Sequence, residues 1–341
     1  WLVVGLWLIA ILVSFVLVAM FLAVEGEAEI TRTTESKQAE QILDEGFPQE
    51  AASGLAITEV VVVRVEDGEA EVAATRERVA ELADELRTAG AERVITYGEE
   101  RRLVSQDGDS TVLLLALGRD GEDDVEEVVD VVEHLDEEPG YQAAVTGERI
   151  ADVDEDEASL EDLKKGELFF GAPLALVVLL LVFGAVVAGL VPLMLAVTSI
   201  VVALALVALL AQAYDLSVFT QNMLIGMGLA LGIDYSLFTL SRYREERLRG
   251  REKSGAITTS GATAGRAVLF SGFAFVLAML GLLLVPSTIF RSLATGAILV
   301  GLVSILAALT LLPAVVSLLG DRVNTLRIPY FGRATEQAGR E

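Results

Sequence analysis

The chain is 341 residues long, 53% hydrophobic, with a mean hydropathy of +0.56 and a formal net charge of −25. It has no cysteine and a single histidine, His134, in a polar segment. Disulfides are excluded, and zinc sites and histidine-based catalytic triads are poorly supplied. So acidic a chain also argues against nucleic acid as a partner.

Residues 2–24 carry no charge, enough for one helix across a hydrocarbon core, which takes about 20 apolar residues. The run is longer than the apolar region of a secretory signal, and no A-x-A-like cleavage site closes it. It reads as a retained first span, placed at 1–24. The sequence opens at Trp1, already inside the apolar run, as a sequence shortened at its N-terminus would.

Residues 25–166 read as one soluble insertion. Between 25 and 165 lie 41 of the 50 acidic residues and 13 of the 25 basic ones. The stretch 57–65, ITEVVVVRV, is rich in β-branched residues and predicts a buried strand. An amphipathic helix is expected over 71–88, with Val72, Val79, Leu82 and Leu86 on nearby faces. Strands follow at 92–97 and 111–117, then a very acidic helix at 121–135 and a strand at 141–145. The order β-α-β-β-α-β is that of a ferredoxin-like module, an arrangement that hosts many functions and proves none. The run DVDEDEASLEDLKK, 152–165, has aspartates at alternate positions like the start of a calcium loop. It lacks the loop's central glycine, Glu157 standing there, and its closing glutamate. It reads as an acidic helix leading into the second span, with no metal site.

The rest is membrane-grade sequence. Residues 168–214 are uncharged, 216–241 hold only Asp234, and 267–290 and 292–320 are again uncharged. Within 167–320 this predicts spans two to six at about 168–189, 191–213, 217–241, 266–287 and 291–319, followed by a tail at 321–341. The fold class is therefore an α-helical bundle of six transmembrane helices with an α+β ferredoxin-like domain inserted after the first. Arg242, Arg244, Arg247, Arg249, Arg251, Lys253 and Arg266 follow span four, and Arg322, Arg327, Arg333 and Arg340 follow span six. Excess Lys/Arg in short loops marks the cytoplasmic side. The loop 242–265 and the tail are then cytoplasmic, and the acidic insertion is external. GREKS at 250–254 ends like a phosphate loop but lacks its preceding glycine, so no ATP site is expected.

Asp234 is the residue that asks for a reason. A carboxylate near the bilayer centre costs at least about 2.5–3.5 kcal/mol on insertion scales. It is kept there because it is paired, neutral or useful. Desolvation raises a carboxyl pKa and a nearby cation lowers it, so such a group can be poised to take up and release protons. Tyr235 stands next to it as a hydrogen-bond donor. Gly228 and Gly232, in GxxxG spacing, permit close helix packing on a different face. In span five, Ser271 lies at a similar depth and is expected to approach Asp234 across a helix pair. Gln221 and Asn222 read as interfacial polar residues.

Gly232-Ile233-Asp234-Tyr235 followed by Ser241-Arg242-Tyr243-Arg244-Glu245-Glu246 resembles the fourth-span signature of the MMPL transporters, of the resistance-nodulation-division (RND) superfamily. Ala264-Gly265-Arg266 through Ser271-Gly272 is similar to that family's fifth-span entry, and the layout of one span, an external porter domain and five spans matches throughout. The resemblance implies a secondary transporter, not an enzyme. It would export lipids or other hydrophobic molecules across the cytoplasmic membrane on the proton gradient, without a cofactor. Asp234 and Tyr235 would form half of the proton relay, with Ser271 a weaker member. Family members usually carry a second copy of the whole layout, so a second six-span half is expected as partner, in the same polypeptide or as a homo-oligomer. Two departures stand out: Ser236 where a glycine is usual and Ala267 where a threonine is expected. The other reading is a non-transporting six-helix module, sensing sterols or lipids or assisting Sec-type protein export. An intramembrane enzyme is disfavoured because the lone carboxylate has no second acid or histidine nearby.

Overall fold

In a computed structural model, the structure describes residues 1–21, 59–65, 73–117, 122–214, 216–217 and 219–326. The chain divides into two compact units, residues 33–158 and residues 1–32 with 159–341. The strand start at 57–58, the helix start at 71–72, including Val72, and the tail beyond 326 lie outside the described residues.

In the soluble unit, β1 (Glu59–Val65), β2 (Ala91–Ile95), β3 (Ser110–Leu117) and β4 (Tyr141–Gly147) form an antiparallel sheet in the order β2-β3-β1-β4. Two helices, α2 (Ala73–Thr88) and α3 (Glu122–Asp136), separate β1 from β2 and β3 from β4. The alternation along β1 sets the geometry: Val61 and Val63 are fully buried while Val62 and Arg64 are exposed. Val61 stands opposite Leu113 on β3 and Val145 on β4. The buried side of the sheet packs on Leu82 and Leu86 of α2 and Val128, Val132 and Leu135 of α3. Glu59 is buried at the edge of this core, where its Oε1 accepts the backbone N–H of Arg149. That N–H is among the unpaired donors that open helix α4 (Glu148–Asp162), where a carboxylate is favoured.

Arg78 of α2 donates to both oxygens of Glu138, at 2.8 and 3.1 Å. This hydrogen bond holds the Glu138 carboxyl below its ordinary range. A carboxyl depressed in the folded state adds stability above its unfolded pKa, and that stability is lost as pH falls through the folded value. Protection of the β1 and β3 amides in the intact protein, relative to their intrinsic exchange rates at each pH, is therefore expected to weaken as pH falls below about 4. Glu138→Gln should flatten that dependence, and an unchanged profile in the variant would disprove the assignment.

The membrane unit contains six helices long and apolar enough to cross a bilayer among the described residues. The first is α1 (Leu2–Phe21). The second runs through a π-helical stretch, Leu163–Gly171, into α5 (Ala172–Phe183). The acidic run 152–165 thus lies on α4 and the start of that π stretch. Gly184 closes α5 in the left-handed conformation, its N–H bonded to Leu180 O, and makes the sharp turn into α6 (Val186–Leu210). Next come α7 (Phe219–Leu248) and α8 (Lys253–Leu280). The last span is α9 (Thr288–Leu306), a π turn at Ala307–Leu311, and α10 (Leu312–Leu319). Pro313 explains the π turn: it has no N–H to offer Leu309 O, and its ring would clash with that carbonyl. The wider turn is braced by Trp7, whose Nε1 donates to Thr310 Oγ1 at 3.0 Å.

Helices α7 and α8 outrun the apolar sequence at one end of the bundle. Both continue through the charged residues 242–248 and the polar residues 253–265. We call this the basic end. α7 is the hub of the unit, packed against α6, α8 and α9.

Candidate functional site

The site is built on the middle of α7. Close packing on one side of α7 is set by its glycines. A Cβ on Gly232 would stand 2.5 Å from Ala196 Cα of α6, and one on Gly228 would run into Ile200 of α6 and Val300 of α9. The backbone at Gly232 cannot be relieved by a rotamer change. Gly232→Val is therefore expected to force α6 and α7 apart and cost about 1–3 kcal/mol or more. A drop in the thermal midpoint of the purified protein, larger than for exposed Gly261→Val, would register it.

Three hydroxyl-bearing residues lie on this same packed side. Ser236 Oγ turns back to Gly232 O at 2.6 Å, and Thr239 Oγ1 to Tyr235 O at 3.0 Å, so neither presents a free hydroxyl. The serine that departs from the usual glycine is thereby satisfied within its own helix. Tyr235 is buried at 6% exposure in a cluster with Val268 of α8 and with Ile305 and Ala308 of the last span. Its hydroxyl points at α8, where a Cβ on Gly272 would lie 3.2 Å away. It approaches Ser271 but completes no hydrogen bond.

Asp234 is exposed from this chain, in an i, i+4, i+8 stripe with Ala230 and Phe238. Ser271 is also exposed, flanked on α8 by Phe270 and Phe273, which are 68% and 66% exposed. No hydrogen bond or ion pair of Asp234 is formed within the described residues. Asp234 and Ser271, expected to approach each other across the helix pair, are both exposed from this chain and form no hydrogen bond with each other among the described residues, while Tyr235 is buried. At the opposite end of α7, Asn222 Nδ2 donates to Ser159 O at 3.2 Å and also contacts Ser159 Oγ.

The basic end holds a feature that sequence reasoning used only as a charge count. Glu246, 1% exposed, receives Arg242 at 2.7 Å, Arg249 at 3.0 Å and Arg251 at 2.7 Å. Arg247 grips Asp321 at 2.6 Å, Arg251 reaches Thr259, and Lys253 donates to Ser317 O. These contacts tie the end of α7 to α8 and to the close of the last span. The i, i+4 spacing of Arg242 and Glu246 was the readable signal.

Residues 30–336 match the MMPL family profile. A Streptomyces coelicolor protein named only as a membrane protein is 35% identical over 295 residues, covering 85% of this chain and 41% of its own length. The mycolic acid-containing lipids exporter MmpL11 of Mycolicibacterium smegmatis is 31% identical over 339 residues, 94% of this chain and 34% of that protein. The trehalose monomycolate exporter MmpL3 of Mycobacterium tuberculosis is 37% identical over 164 residues, 46% of this chain and 17% of that protein. The chain thus spans about two fifths or less of the length of these relatives.

Proposed function

This chain belongs to the MMPL family, and on that premise we propose that it forms one six-span half of a proton-driven exporter of lipids or other hydrophobic molecules. The cargo class is supported by the names of two relatives, a mycolic acid-containing lipids exporter and a trehalose monomycolate exporter. The observation that carries the coupling is Asp234, a lone carboxylate in an exposed apolar stripe with the buried Tyr235 hydroxyl beside it. Left against lipid, that carboxylate would stand at the cost intramembrane charges bear. A second six-span half, in the same polypeptide or a second copy, covers the stripe and completes the relay. Asp234 is the proton acceptor, Tyr235 a donor that steers the proton, and Ser271 a weaker polar neighbour. The proton is the coupling ion and no cofactor enters.

The strand order β2-β3-β1-β4 with two intervening helices supports reading the soluble unit as a ferredoxin-like porter domain. By the distribution of Lys and Arg, it lies outside the cytoplasmic membrane, with 242–265 and 321–341 inside. Coupling requires the two conformations of the exporter to differ in proton affinity at Asp234. The test is a titration of the carboxyl infrared band in the full-length protein in lipid, subtracted from the Asp234→Asn variant. A protonation step between about pH 5 and 8 supports the relay, since coupling needs a group poised near working pH. A flat difference spectrum across that range sinks it.

A further inference from the structure

Helices α1 and α6 pack side by side, yet they leave an open groove between them. Its cavity is about 400 Å³, walled by Ile11 and Phe15 of α1 and by Leu190, Met194 and Val197 among others of α6. Among the described residues, Thr198 brings the only hydroxyl to that wall, and no charged group joins it. Phe15, Leu190, Met194 and Val197 are exposed from this chain. Phe270 and Phe273 are exposed too, but they lie on the single helix α8, whereas here two helices make a concave wall.

The depth of the groove limits what can fill it. α6 begins at Val186, at the basic end, where its first N–H donates to Leu326 O. The lining runs along α6 from Leu190 to Val201, about 16 Å at the helical rise. A hydrocarbon core is about 30 Å thick, so the groove matches the depth of one leaflet, on the side of the basic end. A partner helix would cross both leaflets and overrun the groove about twofold. A single acyl chain fits its length, and a wall without charge has nothing to desolvate when the chain enters.

The same end carries cationic charge. The turn Gly320–Asn324 packs against α6. It holds Arg322, which is exposed and makes no ion pair among the described residues, while its neighbour Asp321 is taken by Arg247. A free guanidinium beyond the end of a span attracts anionic lipid headgroups. We propose that the α1–α6 groove holds one acyl chain of an anionic phospholipid from the leaflet at the basic end, with the headgroup at Arg322. Helix α1 gains most from it. Ser14 is the one residue of α1 that this chain buries, so the bound chain completes the packing of α1 on α6. The site does not rest on proton coupling: α6 meets α7 at Gly232, about 160° around that helix from Asp234.

Native mass spectrometry of the full-length protein, released from nanodiscs of equimolar phosphatidylglycerol and phosphatidylcholine, tests this. Phosphatidylglycerol should be retained over phosphatidylcholine by about fivefold, the effect of one cation beside an anionic headgroup. Arg322→Gln should bring that ratio to about one. Met194→Trp, which fills the groove from an exposed position, should remove the most tightly held phosphatidylglycerol, and Phe270→Trp on α8 should not. A ratio unchanged by Arg322→Gln, or bound phosphatidylglycerol unchanged by Met194→Trp, overturns the proposal. So does a protein helix seated in the groove in a structure of the full-length protein in lipid.

Discussion

Glu246→Ala in the full-length protein should lower its stability by about 3 kcal/mol, the lower end of what breaking a buried ion pair costs. The estimate stays at that end because Arg242, Arg249 and Arg251 keep 30%, 49% and 53% side-chain exposure and can rehydrate. The carboxylate itself is the buried member, and it alone gathers three guanidinium groups. The neighbouring Glu245 makes two equally short bridges, to Arg242 and Arg249, yet its side chain is 38% exposed. Glu245→Ala should therefore change stability by less than about 1 kcal/mol. Two adjacent glutamates that share Arg242 and Arg249 thus set burial against charge. Thermal unfolding of the two variants in detergent and in lipid measures both. Equal effects would mean that the bridges, not the burial, carry the energy.

Asp234→Asn should abolish proton-driven transport by the complete protein while leaving it folded. The side chain is exposed from this chain and makes no bond within the described residues, so its loss removes no internal contact. A positioned proton-transfer group contributes about 100-fold or more, so transport in proteoliposomes under an imposed pH gradient should drop by at least that factor. Asp234→Glu should retain part of the activity, and Tyr235→Phe should fall between the two, because the hydroxyl has no hydrogen-bond partner to lose. Retention of transport within about twofold by Asp234→Asn, in protein of unchanged thermal midpoint, would remove this residue from the mechanism.

The six spans were legible because each apolar run reaches bilayer length, a signal that survives any detail of packing. The strands of the soluble unit were legible because short apolar runs, rich in valine along 59–65 and in leucine along 110–117, are bounded by polar and glycine-containing segments. The helix ends were not. Residues 242–248 and 253–265 are polar, so hydropathy stops there, while helical hydrogen bonding does not. The facing of Asp234 was also hidden. An almost uniformly apolar helix has no polar face from which to read direction, and only the neighbours at Gly228 and Gly232 fix it.

The π turn at Ala307–Leu311 has a consequence for how this last span is compared between relatives. In an α-helix each step of four residues overshoots a full turn by about 40°, so a line of i, i+4 positions drifts around the axis. Val300, Ser304, Ala308, Leu312 and Val316 nevertheless all stay buried, at 0–3% exposure. A π turn spends one residue more on its hydrogen-bonded loop, which winds the line back and keeps it on the bundle. In terms of descent, such a turn is a one-residue insertion accommodated without breaking the helix. A relative lacking it would carry a single-residue gap near 307–311, and an alignment that left out the gap would set every later residue about 100° out of step with this chain. Position-by-position comparison beyond that point would then pair lipid-facing residues with core ones, although the two spans had the same architecture.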